Sequence, residues 1–179
     1  MTRELIATIK WDKVATSSTY LYGSIIRFVG ESVRFENLLM PPGKEIYKWM
    51  SRTNYQRDRR TPELPVLEFG KTYTLVANMD VIPNRRVFVK IEFFNRLGES
   101  IAVKNIRDEE TSFTYPEGAF SYTITLMSGG CQALYFTSLE LYQEKREVSP
   151  FTKKVFSKRY IEKELPEELN FVSSLIETI

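Results

Sequence analysis

Histidine is absent from the 179 residues, and cysteine occurs once, at Cys131. Without imidazole there is no Ser-His-Asp or Cys-His nucleophile pair. There is no imidazole general base either, and nearly every transition-metal catalytic site is excluded. A single cysteine forms no internal disulfide, which fits a reducing compartment. Long apolar runs are missing as well. Nothing approaches the roughly 18 consecutive apolar residues of a membrane span. Arg3, Glu4, Lys10, Asp12 and Lys13 leave no apolar core for a signal peptide near the start. The expected address is the cytoplasm. The chain also lacks a large excess of one charge: 25 Lys and Arg stand against 23 Asp and Glu, a formal net charge of +2. A general binder of nucleic acid or of membrane surfaces carries a larger basic excess, so neither partner is expected.

What is present is apolar residues, at 42%, and aromatics, at 13%, most of them Phe and Tyr. That composition suits a half-buried pleated surface. Period-two alternation dominates up to Tyr142. Tyr73, Leu75, Ala77 and Met79 share one face, as do Val87, Val89, Ile91 and Phe93, and Tyr122, Ile124 and Leu126. Weaker strands are expected at Leu5–Trp11, Tyr20–Phe28, Val33–Glu36, Ile46–Ser51, Ile101–Ile106, Ser112–Tyr115 and Ala133–Tyr142. In the last of these the apolar phase slips between Phe136 and Leu139, as at a β-bulge. Turn residues fall between the strands, at Pro41-Pro42-Gly43, Gly70, Asn95 to Gly98 and Gly129-Gly130. About ten short strands with such spacing predict an all-β fold, an antiparallel β-sandwich of the jelly-roll kind. After Tyr142 the alternation stops and basic residues crowd in. Pro166-Glu167-Glu168 reads as a helix start, and Leu169, Val172, Ile176 and Ile179 follow at helical spacing. The expected organisation is a sandwich domain over 1–142 and a tail over 143–179 with one or two short helices.

Little in the sequence carries chemistry. Cys131 follows two glycines but lacks an activating base, and it reads as a small buried hydrophobe. A glycosidase needs two carboxyl groups roughly 5–9 Å apart. Asp80, Glu92, Glu117 and Glu140 are candidates, yet none stands in a distinctive motif. No Asp-rich loop predicts a calcium site, and no Gly-rich loop predicts a phosphate site. No catalytic residue, metal ligand or cofactor is therefore assigned.

The most unusual local feature is Arg52-Thr53-Asn54-Tyr55-Gln56-Arg57-Asp58-Arg59-Arg60. Four arginines against one aspartate, with a tyrosine and two amides, suit a protein interface, where Arg and Tyr are enriched. The same residues suit recognition of phosphate, carboxylate or sugar hydroxyls. A solvated loop is the plain alternative. Asn54, Tyr55, Gln56, Arg57 and Arg59 are the candidate partner-binding residues. Trp49, Asn54 and Tyr55 are the candidate glycan contacts, pairing an aromatic ring with an amide.

Several blocks resemble a known family. They are Tyr20-Leu21-Tyr22-Gly23-Ser24, Leu38-Leu39-Met40-Pro41-Pro42-Gly43 with Trp49, Thr53-Asn54-Tyr55-Gln56 with Arg59, and Pro62-Glu63-Leu64-Pro65. Gly70-Lys71-Thr72-Tyr73, Phe93-Phe94-Asn95-Arg96-Leu97-Gly98, Phe113-Thr114-Tyr115-Pro116-Glu117 and Gly130-Cys131 complete the set. Over about residues 10 to 142 the chain is similar to the third accessory secretory proteins of the accessory Sec system. That resemblance implies a fold like a carbohydrate-binding module and a place in the export of glycosylated serine-rich repeat adhesins. It implies two larger accessory secretory proteins as partners, together with the accessory Sec motor ATPase and the glycosylated adhesin. It also implies work in the cytoplasm, with the membrane reached through the export complex. Two function classes follow: a scaffold that holds an export complex together, and a lectin-like module that grips glycan. A stand-alone carbohydrate-binding module or a carboxylate-dependent enzyme is the alternative.

Overall fold

The computed structural model describes residues 2–145. In chain order its elements are β1 (Thr2–Ile9), β2 (Ile25–Val29), β3 (Ser32–Glu36), β4 (Glu45–Met50), α1 (Tyr55–Asp58), β5 (Thr72–Ile82), β6 (Val87–Phe94), β7 (Ser100–Ile106), β8 (Glu110–Thr114), β9 (Ser121–Ser128) and β10 (Ala133–Lys145). The strong period-two segments all became strands. β6 shows the reason most cleanly, because its residues alternate strictly between buried and half-buried along the whole strand.

The strands form two antiparallel sheets. One runs β2-β3-β10-β5-β8, with β1 also paired to β10; the other runs β4-β9-β6-β7. β10 organises the first sheet. Its opening residues Ala133 to Phe136 lie between β3 and β5, and its later residues Leu139 to Lys145 lie beside β1. A register shift between Phe136 and Ser138 separates the two halves. This is the slip that the apolar phase predicts, and the extra residue lets one strand serve two neighbours in succession.

Between the sheets lies an aromatic core. The Trp11 ring is 4.5 Å from Tyr47, Tyr47 is 4.7 Å from Trp49, and Trp49 is 5.3 Å from Phe136. A second group joins Phe93, Phe113, Tyr115 and Tyr122. Fully burying one large apolar side chain contributes about 1.5–3 kcal/mol, and tilted or edge-on ring pairs add about 0.5–1.5 kcal/mol.

Three expectations change in detail. The strand expected from Tyr20 begins only at Ile25, because Gly23 at φ 67° and the Ser24 N–H to Leu21 carbonyl bond at 3.2 Å make a turn first. The run 52–60 holds the short helix α1 rather than loop throughout. β10 continues to Lys145, so residues 143 to 145 extend the sandwich. The helices expected around Pro166 and Leu169–Ile179 lie outside the described residues.

Candidate functional site

The Arg- and Tyr-rich run leaves the end of β4. Ser51 fixes its departure: its N–H donates to the Tyr122 carbonyl at 3.0 Å, and its hydroxyl accepts from the Tyr122 N–H at 2.8 Å. The return is fixed by the Glu63 N–H, which donates to the Met50 carbonyl at 3.0 Å. Between these points Asn54 caps α1. Its Oδ1 accepts from the Gln56 and Arg57 N–H groups, at 3.1 and 3.4 Å, and Asp58 Oδ2 accepts from the Asn54 N–H at 2.8 Å. Side chain and backbone thus satisfy one another across one helical turn, as in other N-cap arrangements. Arg59 ends the turn in the left-handed region, at φ 52°. The Arg57 guanidinium and the Asn54 N–H hold the Asp58 carboxyl below its ordinary value of 3.8.

Arg60 holds the knuckle down. Its side chain is almost fully buried, with Nη2 2.6 Å from each Glu63 carboxylate oxygen and 3.1 Å from the Lys48 carbonyl. The Thr53 hydroxyl donates to the Arg60 carbonyl at 2.7 Å, which closes the loop on itself. The composition of the run marks all four of its arginines alike. The structure divides them: Arg60 is an internal anchor, whereas Arg57 and Arg59 project outward.

Tyr55 and Gln56 are exposed as well, so four of the five predicted partner-binding side chains stand on one short turn. Asn54 is exposed too, but its Oδ1 is occupied by capping. A cleft of about 590 Å³ runs along the knuckle, lined by Arg52, Asn54, Tyr55, Gln56, Arg57 and Ser121 among others. Arg52 lies with its guanidinium carbon 4.2 Å from the Phe120 ring centroid, which stiffens one wall.

Trp49 does not belong to this surface. It is 0% exposed, packed against Tyr47 and Phe136, with its indole N–H donating to the Lys10 carbonyl at 2.9 Å. A ring enclosed on both faces cannot stack on a sugar, so Trp49 is withdrawn as a glycan contact. Its neighbour Tyr47 is buried too. Burial, reinforced by the Glu63 charge, pushes the Tyr47 hydroxyl up to about 12.

The four candidate acids do not converge. Asp80 pairs in register with Tyr135, and Glu140 with Val76. Four residues of strand separate them, about 13 Å, beyond the roughly 5–9.5 Å that glycoside hydrolysis uses. Glu92 lies in the other sheet, 3.2 Å from Lys90, and Glu117 is in an exposed loop. Burial pushes the Glu92 carboxyl up, but hydrogen bonds from Ser100 and Lys90 outweigh this and hold it below its usual range. Cys131 is buried beside Ser128, and burial pushes its thiol up, away from thiolate. Among the described residues no group of three or more acids or cysteines could hold a metal ion. Among the same residues no helix is long and apolar enough to cross a membrane.

Residues 19–143 match the family model described as "Accessory Sec secretory system ASP3". The accessory Sec system protein ASP3 of Streptococcus gordonii is 40% identical over 130 residues, which cover 72% of this chain and 82% of that protein. Its namesake from Staphylococcus aureus is 29% identical over 133 residues, 74% of this chain but only 41% of the longer relative. In the crystal structure of accessory secretory proteins 1, 2 and 3 of Streptococcus pneumoniae, one chain matches at TM-score 0.73 and 34% identity. The match covers 77% of this chain and 96% of that one. The Gap123 complex of Streptococcus agalactiae contains a match at TM-score 0.73 and 36% identity, covering 82% of this chain and 46% of that one.

Proposed function

We propose, from the premise that this chain belongs to the accessory Sec secretory system ASP3 family, that it serves protein export as a non-catalytic assembly subunit in the cytoplasm. Its partners in this reading are the two larger accessory secretory proteins, by analogy with the pneumococcal and S. agalactiae complexes it resembles. The accessory Sec motor ATPase and the glycosylated serine-rich repeat adhesin are the further contacts that membership implies.

The observation that carries the reading is the knuckle itself. A buried Arg60–Glu63 pair and the Asn54 cap fix one turn of helix so that Tyr55, Gln56, Arg57 and Arg59 are presented together to solvent. A turn already ordered loses little entropy on binding. Tyr and Arg in such a setting are the residue types that most often act as interface hot spots, where truncation costs roughly 2 kcal/mol or more. The Tyr55, Gln56 and Arg59 side chains take no part in this anchoring, whereas Arg57 also pairs with Asp58 at 2.9 Å.

The test is co-expression of the full chain with the two larger accessory secretory proteins. Tyr55→Ala with Arg57→Ala is expected to lower recovery of the complex by at least tenfold at limiting concentration. A second variant that stops after Lys145 keeps β10 whole and removes the tail. Full recovery with the knuckle variant and loss with the truncated chain would transfer the contact to the tail.

A weaker second reading is glycan contact in the same cleft, favoured by the exposed Tyr55 ring beside the Asn54 and Gln56 amides. Binding there is expected to be weak per site, with repetition along a glycoprotein supplying avidity. Titration of glycosylated adhesin against Tyr55→Ala tests it, and unchanged affinity would remove the site.

A further inference from the structure

An exposed strand edge is an open template for pairing, and soluble proteins block their edges in recognisable ways. Among the described residues, β2 is the edge left most open. β4 is covered by the segment before it: the Tyr20 N–H donates to the Ile46 carbonyl at 3.0 Å, and the Lys48 N–H to the Ser18 carbonyl at 2.9 Å. β7 carries Lys104 on the side of its core residues, and that lysine reaches across to cap the Ser112 carbonyl of β8 at 2.7 Å. β8 is five residues long, and the Lys104 bond takes up its Ser112 carbonyl. β1 carries a register shift between Leu5 and Ala7, with Arg3 and Glu4 beside it.

β2 is just as short and carries one charge, Arg27, but it has no covering segment, no register shift and no cap on its outer carbonyls among the described residues. Among the described residues it pairs with β3 alone. Ile25, Phe28 and Val29 are each more than half exposed. Its single charge, Arg27, lies opposite Arg34 in the register. Arg34 is already engaged, in an ion pair with Glu36 and over the Tyr135 ring. Arg27 has no ion pair among the described residues. Beside Ile25 opens a largely apolar groove of about 890 Å³, walled by Tyr22, Leu38, Leu39 and Ile82. Tyr22, Leu38 and Leu39 are 84%, 79% and 91% exposed. Asn37 holds this wall in place, donating to the Tyr22 carbonyl at 2.9 Å and accepting from the Leu39 N–H at 3.1 Å.

We propose that the β2 edge and its adjoining groove receive an extended segment of another protein, apolar at alternate positions and carrying a carboxylate opposite Arg27. Backbone pairing supplies affinity in such strand addition, and side-chain pockets supply choice of partner. The charge pattern argues against a second copy of this chain. Antiparallel self-pairing that continues the outer face brings the two Arg27 side chains directly opposite or onto a near diagonal, each backed by Arg34. Like charges so placed are destabilising. A carboxylate in the same position is instead attracted to the one uncommitted cation of the strip. This rests on the reading of the chain as an assembly subunit, and it adds a second contact surface to the knuckle.

The experiment compares amide hydrogen exchange of the full chain, alone and co-purified with the two larger accessory secretory proteins. The Ile26 to Phe28 amides are expected to slow by at least tenfold in the complex. Arg27→Glu is expected to weaken the complex at least tenfold, and Arg27→Lys to retain most of it. Unchanged β2 exchange in an intact complex would overturn the assignment and leave the parent reading standing. Protection that rises with concentration in the isolated chain would overturn it in favour of self-pairing. Failure of the unsubstituted chain to form any complex would overturn both.

Discussion

Nη2 of Arg60 sits 2.6 Å from both carboxylate oxygens of Glu63, in a place where almost none of the Arg60 side chain meets water. Taking one partner away leaves the other charge buried without compensation, which costs about 3–5 kcal/mol. Glu63→Ala is therefore expected to lower the unfolding free energy by about that amount in denaturant titration. Arg60→Met combined with Glu63→Leu is expected to cost less than Glu63→Ala alone, because no stranded charge remains. A double variant as unstable as the single would show that the pair matters through shape and not charge.

The knuckle should respond to acid. Asp58 has its carboxyl below 3.8 in the folded protein, held there by Arg57 and by the Asn54 N–H. A lowered folded value means that its contribution is complete above the ordinary value and is lost as pH falls through the lowered one. Protection of the Asn54 amide against hydrogen exchange is expected to fall below about pH 4, while core amides such as Ile124 stay protected. Asp58→Asn should show the weakened protection already at neutral pH.

At the other end of the scale, Tyr47 is expected to resist ionisation until about pH 12. Its folded value is raised, so stability is complete below the ordinary tyrosine value of about 10 and declines as pH rises through the window between the two. Absorbance titration of phenolate should show a late class of tyrosines that titrates only as the protein unfolds. A titration in which every tyrosine ionises early and reversibly would contradict the packing described here.

Cys131 is 2% exposed and its thiol is pushed up by burial. Since thiolate is the reactive form, an aromatic disulfide reagent is expected to label the native chain slowly and the denatured chain at once. Rapid native labelling would place Cys131 at an opening that the structure does not contain.

Strand positions were legible in the sequence wherever one face is buried and the other wet, because alternation then follows from burial alone. β6 and the bulge of β10 are the clearest cases. Pairing order was not legible: nothing in the alternation of β10 says that β3 and β1 follow one another along the same side. The site was half legible. Composition singled out residues 52–60, and Asn54 with Asp58 four positions on could have signalled a capped turn. Composition could not separate Arg60 from its neighbours, since its burial depends on Tyr47, Lys48 and Glu63 converging from other parts of the chain. Trp49 is a glycan candidate by residue type alone, whereas a strand-borne tryptophan is more often core than platform, and this one stands two positions from Tyr47 and pairs in register with Ile124, both fully buried. Two large residues on one face of a strand are the ordinary mark of core.

The placement of β10 also sets a timetable for biosynthesis. β1 is made before every other strand described, yet its only strand partner among the described residues is the last of them. With translation at about 5–20 residues per second, the N-terminal strand waits on the order of ten seconds for its mate to be made. β3 and β5 wait for the same strand. Until β10 arrives, the first sheet exists only as the β2–β3 hairpin, the β5–β8 pair and a β1 without a strand partner. Any surface that spans the first sheet is thus unfinished until this one strand has been made.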